Sequence, residues 1–158
     1  QEALRYNQHL VIIESDVIIQ PDTLNRMVAE VKNGVGMVAA ATIDEDGVYN
    51  FPYHYLRSWR YKRHGNNSIA IQKRLSFCCT LLTNELLQKA DFQSLDPNKN
   101  WYDVTISHWS LSLGLRNVLM LGNMVLHLPH SSRPWKRLKY TKPLLYYWRK
   151  ITQRKDRI

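Results

Sequence analysis

Apolar residues along this chain follow two rhythms. Residues 9–13, 37–42 and 117–128 are runs dominated by Leu, Val, Ile, Ala and Met, and residues 75–82 are a run of Leu, Phe and Cys with one Ser and one Thr. Runs of this kind predict strands: residues 9–13 one buried on both faces, residues 37–42 a second buried strand, and the other two further strands. Between them the spacing turns helical. Gln20-Pro-Asp-Thr23 opens a helix, because proline suits the first helical position and the Asp22 carboxylate meets the positive end of the helix dipole. Leu24, Met27, Val28 and Val31 then recur at helical intervals, and Gly34 predicts the stop as a left-handed cap. Thr83 caps a short helix running to Ala90, and residues 101–113 form another with Gly114 after it. Residues 142–157 form a last amphipathic helix, with Leu145, Trp148 and Ile151 on one face.

The connections complete the pattern. Residues 1–8 read as a helix end or a loop. Residues 44–47, Asp-Glu-Asp-Gly, are a turn, so residues 48–51 return as a hairpin partner. Residues 52–73 have no period and read as a long surface loop, residues 91–100 as a polar connection, and residues 129–140 as a basic loop. The sum is an α/β sandwich: a mostly parallel sheet with at least one antiparallel strand, and helices packed on it.

Composition narrows the class. The chain has 158 residues, 44% of them hydrophobic and 11% aromatic, enough for one packed core and against wholesale disorder. The formal net charge of +9 favours anionic partners: nucleic acid, phosphorylated small molecules or an acidic membrane surface. No run approaches the roughly 18 apolar residues of a membrane span, and the start has no signal-peptide pattern. Cys78 and Cys79 are adjacent, so they staple no distant loops and show no zinc-type spacing. They read as small core residues in a reducing compartment. The chain opens at Gln1, close to a strand-like run, and reads as a piece of something longer.

Three signals bear on chemistry. Glu14-x-Asp16 ends the first strand, where strand periodicity turns both carboxylates to one side, and ligands of open α/β sheets gather at carboxyl ends of strands. Two oxygen donors there suit Mg²⁺ or Mn²⁺ bridging to phosphates. The plainer reading is a solvated turn that caps the next helix. Asp103, near the start of the helix at 101–113, suits a general base facing a cleft, or simply a first-turn acid stabilised by the dipole. His127 ends the last long strand, where an imidazole is a metal ligand or an exposed structural side chain.

The order of these signals resembles the family 2 glycosyltransferases of GT-A fold. The segments that carry the likeness are Val11-Ile-Ile-Glu-Ser-Asp-Val17 with Pro21-Asp-x-Leu24, Leu75-Ser-Phe-Cys-Cys-Thr-Leu-Leu82, Trp101-Tyr-Asp-Val-Thr-Ile-Ser107 with Gly114, and Val125-Leu-His127. The resemblance runs from about residue 9 to about residue 135. The resemblance implies an incomplete GT-A-like mixed sheet flanked by helices that lacks the N-terminal nucleotide-binding half. It assigns 1–135 to the C-terminal portion of such a domain and 136–158 to a basic helical tail.

By the same resemblance, Asp16 is the direct ligand of a divalent cation, Mg²⁺ or Mn²⁺, on a nucleotide-sugar diphosphate. Glu14 is its partner in cofactor binding, and His127 completes the metal site. Asp103 is the catalytic base, taking a proton from the hydroxyl of a saccharide or lipid-linked saccharide as that oxygen attacks the anomeric carbon. One displacement inverts that carbon. The chain departs from the family pattern in three places. Glu14 stands where Asp is usual, Tyr102 where Glu precedes the base, and the nucleotide-binding half is missing, so the isolated chain is expected to have little or no transferase activity.

Basic residues add a rival reading. Arg57, Arg60, Lys62, Arg63 and His64 interleave with Tyr55, Trp59 and Tyr61, suiting an acceptor site, a diphosphate, or a nucleic-acid-binding module. No recognised nucleic-acid signature accompanies them, so no nucleic-acid partner is expected. Arg133-Pro-Trp135 lacks the spacing of a processive synthase. The basic tail fits a helix lying on an anionic membrane surface, or equally one that covers core. The expected location is the cytoplasm, including the cytoplasmic face of the membrane. A degenerate GT-A fragment that binds no donor is the third reading.

Overall fold

The computed structural model describes residues 2–47, 49, 64–72, 74–96, 102–128, 138 and 142–153. Its elements are α1 (Glu2–Arg5), β1 (Leu10–Ile13), β2 (Val17–Ile18), α2 (Thr23–Ala29), β3 (Val35–Ile43), β4 (Ser68–Ile71) and β5 (Cys79–Leu82). They continue with α3 (Asn84–Lys89), a 3₁₀ turn (Phe92–Ser94), α4 (Tyr102–Ser112), β6 (Arg116–His127) and α5 (Pro143–Thr152).

The six strands form one open mixed sheet in the order β1-β5-β3-β6-β2, with β4 also on β6. Among the described residues β3–β6 is parallel, whereas β1–β5, β3–β5, β2–β6 and β4–β6 are antiparallel. The expectation of a mostly parallel sheet is therefore corrected. Pairings between strands remote in sequence, invisible to apolar periodicity, supply the antiparallel neighbours.

Alternation along β3 and β6 builds two cores. Met37, Ala39, Ala41, Leu119 and Leu121 face one side, where Leu86 and Leu87 of α3 and Ile106 of α4 pack on them. Val38, Ala40, Val118 and Met120 face the other, against Met27 of α2. Helices thus cover both faces, as the apolar runs on both sides of the central strands require. Gly36 lets α4 approach β3 closely. A Cβ there would collide with Ser110 Oγ and lie 3.0 Å from Leu115 Cβ.

Strand β6 serves two neighbours on one side by breaking its register. Met120 faces Ala40 and Met124 faces Ala41, which leaves Leu121, Gly122 and Asn123 out of the ladder. Before the break β6 pairs with β4; after it, with β2. The Arg26 guanidinium donates to the Gly122 carbonyl at 2.8 Å, and the Asn123 amide donates to the Thr23 carbonyl at 3.1 Å. The break is tied down by α2 and its start, and it delivers His127 to the turn after β1.

Several expected boundaries move. α2 ends at Ala29 with Glu30 as its cap, and Gly34, at φ +76°, makes the turn into β3 instead. Leu24 and Val28 face outward, so the helix buries only Thr23 and Met27. The strand expected over 75–82 is confined to Cys79–Leu82. The long loop expected over 52–73 contains β4, whose Ser-Ile-Ala-Ile is too short to announce itself. The hairpin return after Asp44–Gly47 is a single bridge, Ile43 to Tyr49, with its remaining residues outside the described set. Thr83 caps α3 by accepting from the Leu86 N–H, and Gly114, at φ +75°, follows α4.

β1 lies at the sheet edge among the described strands, and its burial is only partial rather than two-sided. An edge strand is a template for further pairing.

Candidate functional site

The end of β1 and the end of β6 come together through backbone bonds. The Glu14 N–H donates to the Cys78 carbonyl at 2.9 Å, continuing the β1–β5 register in which Ile13 faces Cys79. The Val17 N–H donates to the Glu14 carbonyl at 3.1 Å, closing a tight turn into β2. In β2, Val17 faces His127, and the Leu128 N–H donates to the Asp16 carbonyl at 2.8 Å. Three segments remote in sequence are thus stitched edge to edge by main-chain bonds, and their side chains follow.

Asp16 Oδ2 lies 3.2 Å from His127 Nε2, with the side chains 17% and 21% exposed respectively. The helix-cap reading of Asp16 is excluded, since the cap of α2 is Asp22, whose side chain makes no capping bond. Beside this pair, the Cys78 thiol donates to Glu14 Oε2 at 3.2 Å, with Ser76 Oγ 3.0 Å from the same sulfur. Glu14, Cys78 and His127 each offer one donor atom, all within 4.8 Å of one another, a grouping able to hold a metal ion. Asp16 adjoins this triad through the imidazole.

Electrostatics tie the residues further. Burial pushes the Cys78 thiol well above its usual range, against the bond from Ser76, and the charges of Glu14 and Asp16 raise it further. Asp103 sits in the first turn of α4, half-buried. Burial raises its carboxyl above the ordinary Asp value; the Val104 N–H and the Arg74 guanidinium pull it down, and the Glu14 charge raises it again. Asp103 is therefore within electrostatic reach of Glu14, and its carboxylate is a stronger base than a solvated one. The helix that carries it is fixed from behind. The Leu75 N–H donates to Ser107 Oγ at 2.9 Å, and the Asn117 amide donates to the Ser107 carbonyl at 3.0 Å.

Sequence reasoning named Glu14, Asp16, Asp103 and His127 but placed Cys78 in the core as filler. The adjacent cysteines in fact part company. The Cys79 thiol turns to Met27 Sδ, 3.8 Å away among apolar residues, and burial pushes it up to about 11. Cys78 turns the other way, to the acids. The signal was strand alternation, usable only once the antiparallel pairing of β1 with β5 is known.

A separate open cavity of about 230 Å³ lies at the β6 register break, lined by Arg26, Glu30, Asn66, Ser68 and Asn123 among others. It contains none of the residues expected at the site. The basic-aromatic cluster at 55–63 and Arg133-Pro-Trp135 lie outside the described residues. The donors present, carboxylates and imidazole with a thiol beside them, fit Mn²⁺ or a softer divalent ion better than Mg²⁺, which prefers oxygen alone. No described helix is long and apolar enough to cross a membrane. No protein-family model matches this sequence, and no curated protein matches it.

Proposed function

We propose that this chain is part of an inverting nucleotide-sugar glycosyltransferase related to the family 2 enzymes. The observation that carries the reading is the meeting of Asp16 with His127 at 3.2 Å, with Glu14 beside them and Asp103 within reach of the Glu14 charge. These are the residues that the family resemblance singles out, drawn from separate segments. The order β1-β5-β3, with the antiparallel β5 inserted between two strands of like direction, adds a mixed sheet compatible with a GT-A-like domain.

In this mechanism Asp16, Glu14 and His127 hold the divalent cation, and Asp103 takes the proton of the acceptor hydroxyl. The bound cation supplies charge neutralisation on the departing diphosphate. Asp103 suits its role because burial raises its pKa, which strengthens it as a proton acceptor. Asp16 Oδ2 and His127 Nε2, 3.2 Å apart, are close enough to serve as two ligands of one ion. The acceptor is a saccharide or lipid-linked saccharide.

A peripheral membrane contact completes the proposal. α5 buries Tyr146 but leaves Leu144, Trp148 and Ile151 at 87%, 61% and 77% exposure, next to Arg149 and Lys150. An apolar ridge with a Trp and flanking cations matches an anionic membrane surface at the cytoplasmic face. Vesicles containing anionic lipid should sediment the protein, and Trp148→Ser with Ile151→Ser should weaken that binding.

The central test uses protein expressed from the complete reading frame. A panel of nucleotide sugars with Mn²⁺ should raise the melting temperature for one member, and Asp16→Ala should abolish the shift. Salt-sensitive binding of single-stranded nucleic acid, indifferent to Asp16, with no response to any nucleotide sugar, would replace this reading by the nucleic-acid one.

A further inference from the structure

We infer that the Glu14–Cys78–His127 triad gives this site a second metal-binding mode, selective for a thiophilic divalent ion of the Zn²⁺ class and competing with the hard cation of the proposed reaction. The inference deepens that reading by adding regulation of the same site, but its evidence is the triad itself.

The geometry is close to what such an ion needs. Ligands of tetrahedral zinc, at about 2.0–2.3 Å from the metal, stand roughly 3.3–3.8 Å apart. Cys78 Sγ and Glu14 Oε2 are already 3.2 Å apart, and the three donor atoms lie within 4.8 Å of one another. Small side-chain adjustments close the set around one ion. The backbone needs none, because the Glu14-to-Cys78 and Asp16-to-Leu128 main-chain bonds hold all three strand ends together. Asp16, against His127, is placed either as the fourth ligand or as the carboxylate that orients the ring.

The chemistry separates the two modes. A thiol adds nothing to a Mg²⁺ site, since hard cations select oxygen. Sulfur joined to imidazole and carboxylate is instead a donor set of zinc sites. When zinc binds, the thiol proton leaves to solvent and the sulfur becomes the ligand. The neighbouring Cys79 provides an internal control, since its sulfur points into the apolar core on the opposite face of β5.

The experiment is cobalt substitution in metal-free protein from the complete reading frame. Wild type should develop an intense thiolate-to-cobalt charge-transfer band with one equivalent of Co²⁺, and excess Zn²⁺ should erase it. Cys78→Ser should lose the band and bind Zn²⁺ about tenfold or more weaker by dye competition, whereas Cys79→Ala should keep both. Absence of the band in wild type, which requires no variant to fold, overturns the inference. So does unchanged Zn²⁺ affinity in Cys78→Ser. A nucleotide-sugar melting shift with Mn²⁺ but no cobalt band rejects the zinc mode alone. A cobalt band with no response to any nucleotide sugar rejects the transferase reading alone.

Discussion

Two sets of buried or half-buried polar side chains occupy this fold, and they differ in what they touch. On the two faces of the sheet, Asn117, Asn123, Ser107 and Thr83 bond to main-chain groups: Ser107 O, Thr23 O, Leu75 N and Val35 O respectively. At the end of the sheet, Glu14, Cys78, Asp16 and His127 meet one another. A polar side chain that satisfies a buried backbone group stabilises a fold, because that group is costly to leave unpaired. Ionisable side chains packed together leave their lone pairs and protons available to a cation or a substrate. The difference teaches how to sort buried polar residues: partner type separates scaffold from chemistry better than burial does.

The sharpest break between the sets is in activity. In protein expressed from the complete reading frame, Asp103→Asn should lower sugar transfer about 10²–10⁴-fold, the usual worth of a general base, with the circular-dichroism spectrum unchanged. Retained transfer would move Asp103 into the scaffold class, as a first-turn helix acid. The scaffold set should answer in the opposite sense. Asn123→Ala removes the amide bond to the Thr23 carbonyl and should cost about 1 kcal/mol in denaturant unfolding, while a nucleotide-sugar response, scaled to the folded fraction, persists. Gly36→Ala forces a Cβ onto Ser110 and Leu115 and should cost about 1–3 kcal/mol. A silent Gly36→Ala would mean that α4 stands off β3 more than the close approach implies.

The two sets were unequally legible in the sequence. Glu14, Asp16, Asp103 and His127 could be named because each sits where a strand ends or a helix begins, and those points are marked by the apolar pattern. Thr83 was legible for the same reason, as a cap. Cys78 was not, since its direction depends on which strand β5 pairs with, and pairing is a tertiary fact. β2 and β4 escaped as well, being two and four residues long. The register break at Gly122 was equally hidden, yet it decides that the His127 end of β6 pairs with β2. Local patterns marked the ends of elements, while non-local pairing decided which ends met.

The smallest effect is the most discriminating for Asp103. Its folded-state pKa lies above the unfolded value, chiefly because burial disfavours the charged form. The folded state therefore holds this proton more tightly than the unfolded state. Stability from this group is fully present below the ordinary Asp range. It is lost as pH rises through the folded-state pKa, and above that it stays lost. Asparagine cannot ionise, so Asp103→Asn removes the loss. Its urea midpoint should exceed wild type near neutral pH, and the two should converge as pH falls toward the ordinary Asp range. A variant that gains stability while losing transfer is the mark of a residue held for chemistry against the preference of the fold. If Asp103→Asn instead falls below wild type at neutral pH, the carboxylate is supporting α4 through its Val104 N–H and Arg74 partners, and the base must be sought elsewhere.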